Sequence, residues 1–259
     1  MRPLLLTKSK QRLLYILSIA LFITSALIGG ARAGDIASRQ ILGFSPDGSY
    51  FAFEEYGIQD GSGFPYANIY ITNTRKNSWV KGSPIRVLIQ NEEAGQQSAR
   101  DQALEKAKPF LEKLDIGRSG ALLAHNPVTE VGRNTHEVTV APGPVPFLKN
   151  YALTFRLEEH QIETKRCKDY GALSQMGYGL SVQRKGDEVK ELHKDARIPT
   201  SRGCPRQYAI SDIIRFHPDS DAKEALYIVI IQLFSYGFEG NDGRYIASSY
   251  WMPTFNATN

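Results

Sequence analysis

Five carboxylates sit in or beside glycine-rich stretches, and they are the residues best placed by type and spacing to do chemistry. Glu54, Glu55 and Asp60 border the loop from Gly57 to Pro65, and Glu239 and Asp242 stand among Gly237, Gly240 and Gly243. Oxygen ligands on permissive loops suit Ca²⁺. Two carboxyl groups facing each other across a gap suit glycosidic-bond hydrolysis. Neither stretch has the spacing of a calcium-binding EF loop, and a solvated acidic rim would use the same letters. His160 stands among Glu158, Glu159 and Glu163, which reads as a charged strand end rather than a metal site. No Gly-x-Ser-x-Gly, His-Glu-x-x-His, P-loop or dinucleotide fingerprint is present. The residues therefore assign no catalytic group, no metal ligand set and no cofactor. The carboxylates remain candidates for a ligand or metal loop.

The only two cysteines are Cys167 and Cys204. With no Cys-x-x-Cys spacing they read as a disulfide, provided the chain is exported. The N-terminus says that it is. Arg2, Lys8, Lys10 and Arg12 precede a largely apolar, uncharged run from Leu13 to Gly30, and Ala31-Arg32-Ala33 fits a small-x-small cleavage pattern before Gly34. Residues 1–33 are expected to be a signal peptide, with an uncleaved N-terminal membrane anchor as the alternative, since the apolar run is just long enough to span a bilayer. Residues 34–259 are expected to be one β-rich exported domain, periplasmic or secreted, with no stable membrane span after cleavage. Charge supports this division. Five of the 31 Lys and Arg (Arg2, Lys8, Lys10, Arg12, Arg32) lie in the first 33 residues, which hold no acid. That leaves 26 against 27 acids, a net charge of −1. Without a basic block the mature chain is not expected to bind nucleic acid.

The acidic loops must be held by strands. Ile41, Leu42 and Phe44 lead into Ser45-Pro46-Asp47-Gly48, which is turn chemistry, and Phe51 and Phe53 alternate with Ala52 and Glu54 beyond it. Ile69 and Ile71 mark a third strand. Shorter strands are expected at Trp79-Val80 and from Ile85 to Ile89. Ala94, Ala99, Ala103, Ala107, Leu111 and Leu114 draw a narrow apolar stripe at helical spacing. Ser98 is placed to cap that helix and Gly117 to end it, and Pro109 is expected to kink or break it. The stripe predicts packing on a sheet. Strands follow around Val138, around Phe155 and around Leu180. The near-continuous apolar run from Ala225 to Phe234 predicts a central strand buried on both faces. A last strand runs from Arg244 to Met252, and the remainder of 118–150 and the polar segment 188–206 read as loop.

The opening strands have a counterpart. Ala37 to Gly48 laid over Ala209 to Ser220 shares Ala, Ile, Phe, Pro and Asp, and Tyr56-Gly57 with Asp60-Gly61 finds an echo in Tyr236-Gly237 with Asp242-Gly243. If the copies pack side by side, their acidic loops meet. Phe44-Ser-Pro-Asp-Gly48, Phe51-Ala-Phe53 and Asn68-Ile-Tyr70 resemble one blade of a TolB-type β-propeller. That resemblance implies a three- or four-stranded antiparallel unit and not a complete propeller, which needs at least four blades. Gly34-Asp35, Phe51-Ala-Phe-Glu-Glu-Tyr-Gly57, Asp60-Gly61-Ser62-Gly63 and Tyr236-Gly237-Phe-Glu-Gly240 are similar to a family of bacterial predicted secreted proteins, domain of unknown function 2259. That similarity implies export from a Gram-negative cell and brings no activity. The expected fold is mainly β: antiparallel sheets in two related blade-like units, as a sandwich or an incomplete propeller, with one amphipathic helix on a sheet. The expected role is a non-catalytic module binding a protein or envelope component. The alternatives are an envelope-polymer hydrolase and a calcium-stabilised structural protein.

Overall fold

The computed structural model describes residues 34–130, 132–141, 152–218, 222–238 and 240–254. The expected signal segment, the Pro142–Pro146 run, Asp219 and Glu239 lie outside them.

The Ser-Pro-Asp-Gly turn forms as its chemistry requires. The Gly48 N–H donates to the Ser45 carbonyl, Asp47 Oδ1 accepts from the Ser49 N–H and the Ser45 hydroxyl, and Gly48 takes φ +71°. It joins β1 (Ser38–Phe44) to β2 (Tyr50–Ile58), and β3 (Pro65–Asn73) returns antiparallel beside β2. β4 (Ser78–Trp79) and β5 (Ile85–Leu88) both pair with β3 and complete the first sheet.

The helix α1 spans Gln96–Lys113 and lays Ala99, Ala103 and Ala107 on Ala52, Ile69 and Ile71 of that sheet. Small side chains let it lie close. The expected break at Pro109 does not occur. Pro109 is on the exposed face, where water can solvate the carbonyl it leaves unpaired. The caps also differ from expectation. Gly95 is the N-cap, with Ser98 inside the first turn, and the positive φ after the helix falls on Asp115, not Gly117.

β6 (Ala121–His125) and β7 (Glu137–Val140) follow, then β8 (Leu153–Glu163), β9 (Ser174–Arg184) and β10 (Lys190–Lys194). β7 to β10 form a second sheet in the order β10-β9-β8-β7. β6 and β10 stand where the sequence read loop. Both are short and carry partly or fully exposed side chains, so they bury too little to impose a period. The third sheet is β11 (Pro205–Phe216), β12 (Glu224–Tyr236) and β13 (Asn241–Pro253), with β6 beside β11. The apolar run is indeed central. β12 lies between β11 and β13, and Ala225 to Leu233 are all buried.

The sheets stack. One face of the third sheet (Ile214, Phe216, Leu226, Ile228, Tyr245) packs on Phe44, Phe51 and Phe53 of the first. Its other face (Ile213, Tyr227, Val229, Ile231) packs on Phe155, Leu157 and Leu180 of the second. The layers run α1, first sheet, third sheet, second sheet. The disulfide Cys167–Cys204 joins the segment after β8 to the start of β11, with Cα atoms 5.8 Å apart.

The two sequence copies are both three-stranded meanders, β1-β2-β3 and β11-β12-β13. They face each other, and the aligned Phe44 and Phe216 stack with ring centroids 4.5 Å apart. This corrects the blade reading. A propeller repeats its blades in a closed ring round a channel, whereas here the sheets stack as layers, and no barrel or propeller closes.

Candidate functional site

Strand alternation separates the adjacent acids. Glu54 lies on the helix-side face of β2, fully buried, and Arg100 of α1 donates to both its oxygens at 2.7–3.1 Å. Glu55 lies on the opposite face, toward the third sheet. Its carboxylate accepts from the Tyr245 N–H at 2.8 Å, Asn68 Nδ2 at 3.1 Å and the Tyr70 hydroxyl at 3.0 Å. Burial pushes the Glu55 carboxyl up, against those three bonds and the charge of Arg244. Burial, and then the charge of Glu55, push the Tyr70 hydroxyl up, which keeps it a donor.

The acidic loops do meet. A Cβ on Gly61 would lie 3.5 Å from the Phe238 ring, so the loop carrying Asp60 touches the β12–β13 turn. Burial pushes the Asp242 carboxyl up, and the charges of Asp35 and Asp60 add to this while Arg244 and the Asp35 N–H oppose it. A Cβ on Gly237 would lie 2.3 Å from Asp242 Oδ1 and 2.9 Å from the Gly240 carbonyl oxygen, so a side chain there would push the Asp242 carboxylate or the turn aside. Asp35, absent from the expected set, ties the cluster together. It is buried, pairs with Arg244, and accepts from the Tyr66 hydroxyl at 2.7 Å. Among the described residues no group of three or more His, Cys, Asp or Glu is arranged to hold a metal ion. His160 Nε2 lies 2.8 Å from the Asp195 carbonyl, a strand-end bond.

A deeper concave feature lies elsewhere, along the outer edge of β13. A cleft of about 620 Å³ opens between the inner face of the first sheet, β13, and the end of the second sheet with the segment Pro199–Gly203. Register builds its first wall. Glu55, Asn68 and Arg86 lie directly across from one another on β2, β3 and β5, and Phe53 lies across from Tyr70. Phe53 stacks on Tyr70 with centroids 4.9 Å apart, and Tyr70 meets Trp79 at 5.8 Å.

The floor is an unpaired strand edge managed by side chains. The Tyr245 N–H goes to Glu55, and the Ser249 N–H goes to Asn77 Oδ1 at 3.0 Å. Alternation points the Ala247 N–H the same way, between those two caps and toward the cleft that Ala247 lines. The opposite wall carries Tyr178, His193 and Arg202. All three are organised by Asp195, which accepts from Arg202 Nη1 at 2.7 Å and the Tyr178 N–H at 3.0 Å and lies 2.9 Å from His193 Nε2. Burial opposes ionisation of Asp195, but the His193, Tyr178 and Arg202 interactions outweigh it and hold the carboxyl low.

Of the expected residues, Glu55 alone lines the cleft. Glu54 faces away, Asp60 and Asp242 stand outside the lining, and Glu239 lies outside the described residues. The row Asn68–Arg86 and the Asp195 cluster were not foreseen. Each is assembled across strands whose pairing no local pattern announces.

No curated protein and no solved structure matches the chain. Among the described residues no helix is long and apolar enough to cross a membrane. A family described as predicted secreted protein (DUF2259) matches residues 52–250, from β2 through the cleft-lining strands to β13. With most of its length inside that match, the chain belongs to this family of predicted secreted proteins.

Proposed function

We propose that the exported domain is a non-catalytic binding module, periplasmic or released from the cell, whose ligand from the envelope or its surroundings occupies the cleft along β13. The observation that carries this reading is the cleft itself. Its volume of about 620 Å³ is of the size that takes a small organic ligand. Its polar groups are already held in place: Glu55 by three donors, Arg202 by Asp195, Arg244 by Asp35. Preorganised polar groups with an aromatic wall favour binding, because little ordering remains to oppose it. The same fixation argues against catalysis by Glu55, whose oxygens are occupied. A hydrolase using Asp60 and Asp242 would work outside the cleft.

The test is a thermal-shift screen of the exported protein with soluble envelope fragments, oligosaccharides and small acids. A ligand present at a hundredfold over its Kd stabilises by about 2.7 kcal/mol, a readable rise in Tm. Trp79→Ala, at a half-exposed position on the rim, should abolish the rise without lowering the unliganded Tm appreciably. A ligand whose shift survives that substitution and Asn77→Ala would bind elsewhere, and the cleft would lose its assignment.

A further inference from the structure

The charged groups that line the cleft are mainly cationic. Arg86, Arg202, Arg244 and His193 line it, and Glu55 is the sole acid among the lining residues. That acid offers no open face, because the Tyr245 N–H, Asn68 and Tyr70 take up its oxygens. Arg202 and Arg244 are neutralised by Asp195 and Asp35 behind the wall. Arg86 is different. It is exposed on the edge strand β5, directly across from Asn68, and among the described residues it makes no ion pair. The Ala247 N–H adds a backbone donor on the floor, where the strand edge continues into no further strand. An acceptor-rich group is what such a surface pairs with, and a charged one pairs best with guanidinium. Beside these donors, half-exposed Trp79 lies tilted at 48° against Tyr70, at the end of the Phe53–Tyr70 stack, and offers a flat apolar face.

We propose that the cleft takes a ring-bearing anion, with its carboxylate or phosphate at Arg86 and the Ala247 N–H and its ring against Trp79. This rests on the cleft being the binding site. The ring can be aromatic or a sugar, since both stack on an indole face, and the experiment separates these sources. The cation at Arg86 stands outside the structural ion pairs, so it is the charge a ligand can complete.

The test is isothermal titration calorimetry at low salt on the exported full protein. The probes are 2-naphthoate and N-acetylmuramate, each beside a neutral counterpart, 2-naphthalenemethanol and N-acetylglucosamine. At least one anion should bind, at least tenfold tighter than its counterpart. Binding of 2-naphthoate alone assigns an aromatic acid, and binding of N-acetylmuramate alone an acidic sugar. Arg86→Ala should weaken the bound anion at least tenfold and Arg86→Lys less. Arg75→Ala, whose guanidinium pairs with Glu224 outside the cleft, should leave binding unchanged. Equal binding of anion and neutral counterpart, or binding unmoved by Arg86→Ala, overturns the anion assignment and leaves the cleft as a site. No binding of any probe at millimolar concentration overturns this inference, while the thermal-shift screen still decides the cleft.

Discussion

Glu54 and Glu55 are bonded to each other yet belong to different layers, Glu54 to the helix side of the first sheet and Glu55 to the side facing the third. That much was legible: a strand alternates faces with period two, so consecutive acids cannot share a site unless the strand ends between them. Their partners were not legible. Arg100 lies 46 positions from Glu54, and Tyr245 lies 190 from Glu55, so no window of sequence contains either pair. The consequence is clearest for Glu54, which is 0 % exposed with Arg100 as its counter-ion. Removing Arg100 leaves a buried charge with nothing to balance it, the costly way to break an ion pair. Arg100→Ala should destabilise the protein by about 3–5 kcal/mol, read from urea unfolding. Replacing both partners together by Glu54→Leu and Arg100→Met should cost much less, because no orphaned charge remains. A mild Arg100→Ala with a severe double variant would mean that Glu54 is held by something other than this pair.

Among elements, legibility followed burial. β12 announced itself because both its faces are covered, which forces an apolar run. β6 and β10 did not, because each is a short sheet edge with polar or exposed side chains. The cleft wall built on β9, β10 and the 199–203 segment was hidden for the same reason: it is polar and depends on one carboxylate. Asp195 is held below the usual carboxylate range, so the folded state binds fewer protons than the unfolded chain between the two pKa values. Stability then rises with pH across that window. The contribution of Asp195 is complete above the unfolded value of about 3.9 and is lost as pH falls through the lower folded value. The wild type should therefore lose stability faster than Asp195→Asn as pH falls below about 4, in parallel denaturant titrations. Hydrogen exchange at Tyr178, whose N–H donates to Asp195, should rise over the same range. Identical slopes in the two proteins would show that other carboxylates carry the acid sensitivity.

For the molecule as a whole, the sequence repeat was visible and its arrangement was not. Shared letters report that two segments fold alike. They do not say whether the copies lie edge to edge, radiate as blades, or face each other, because that depends on which face each buries. The face was in fact encoded. Phe51 and Phe53 on β2 and Leu226 and Ile228 on β12 point at one another, and β12 is apolar on its second face because a second sheet covers it. Phe44 and Phe216 stand at the end of the first strand of each copy and stack nearly parallel, 8° between planes, with both side chains buried. This contact joins the first and third sheets through equivalent residues. Either Phe44→Ala or Phe216→Ala opens a cavity in the core between those sheets and should cost about 3–5 kcal/mol. Once one ring is gone, the other has lost its stacking partner, so the second truncation removes less. The double variant should fall short of the summed single effects by about 0.5–1.5 kcal/mol, the coupling of an aromatic pair. A double-mutant cycle by chemical denaturation measures that difference directly. Strict additivity would mean that each ring is held by its own sheet, and that the two repeats are joined by the aliphatic contacts around the stack and not by the stack itself.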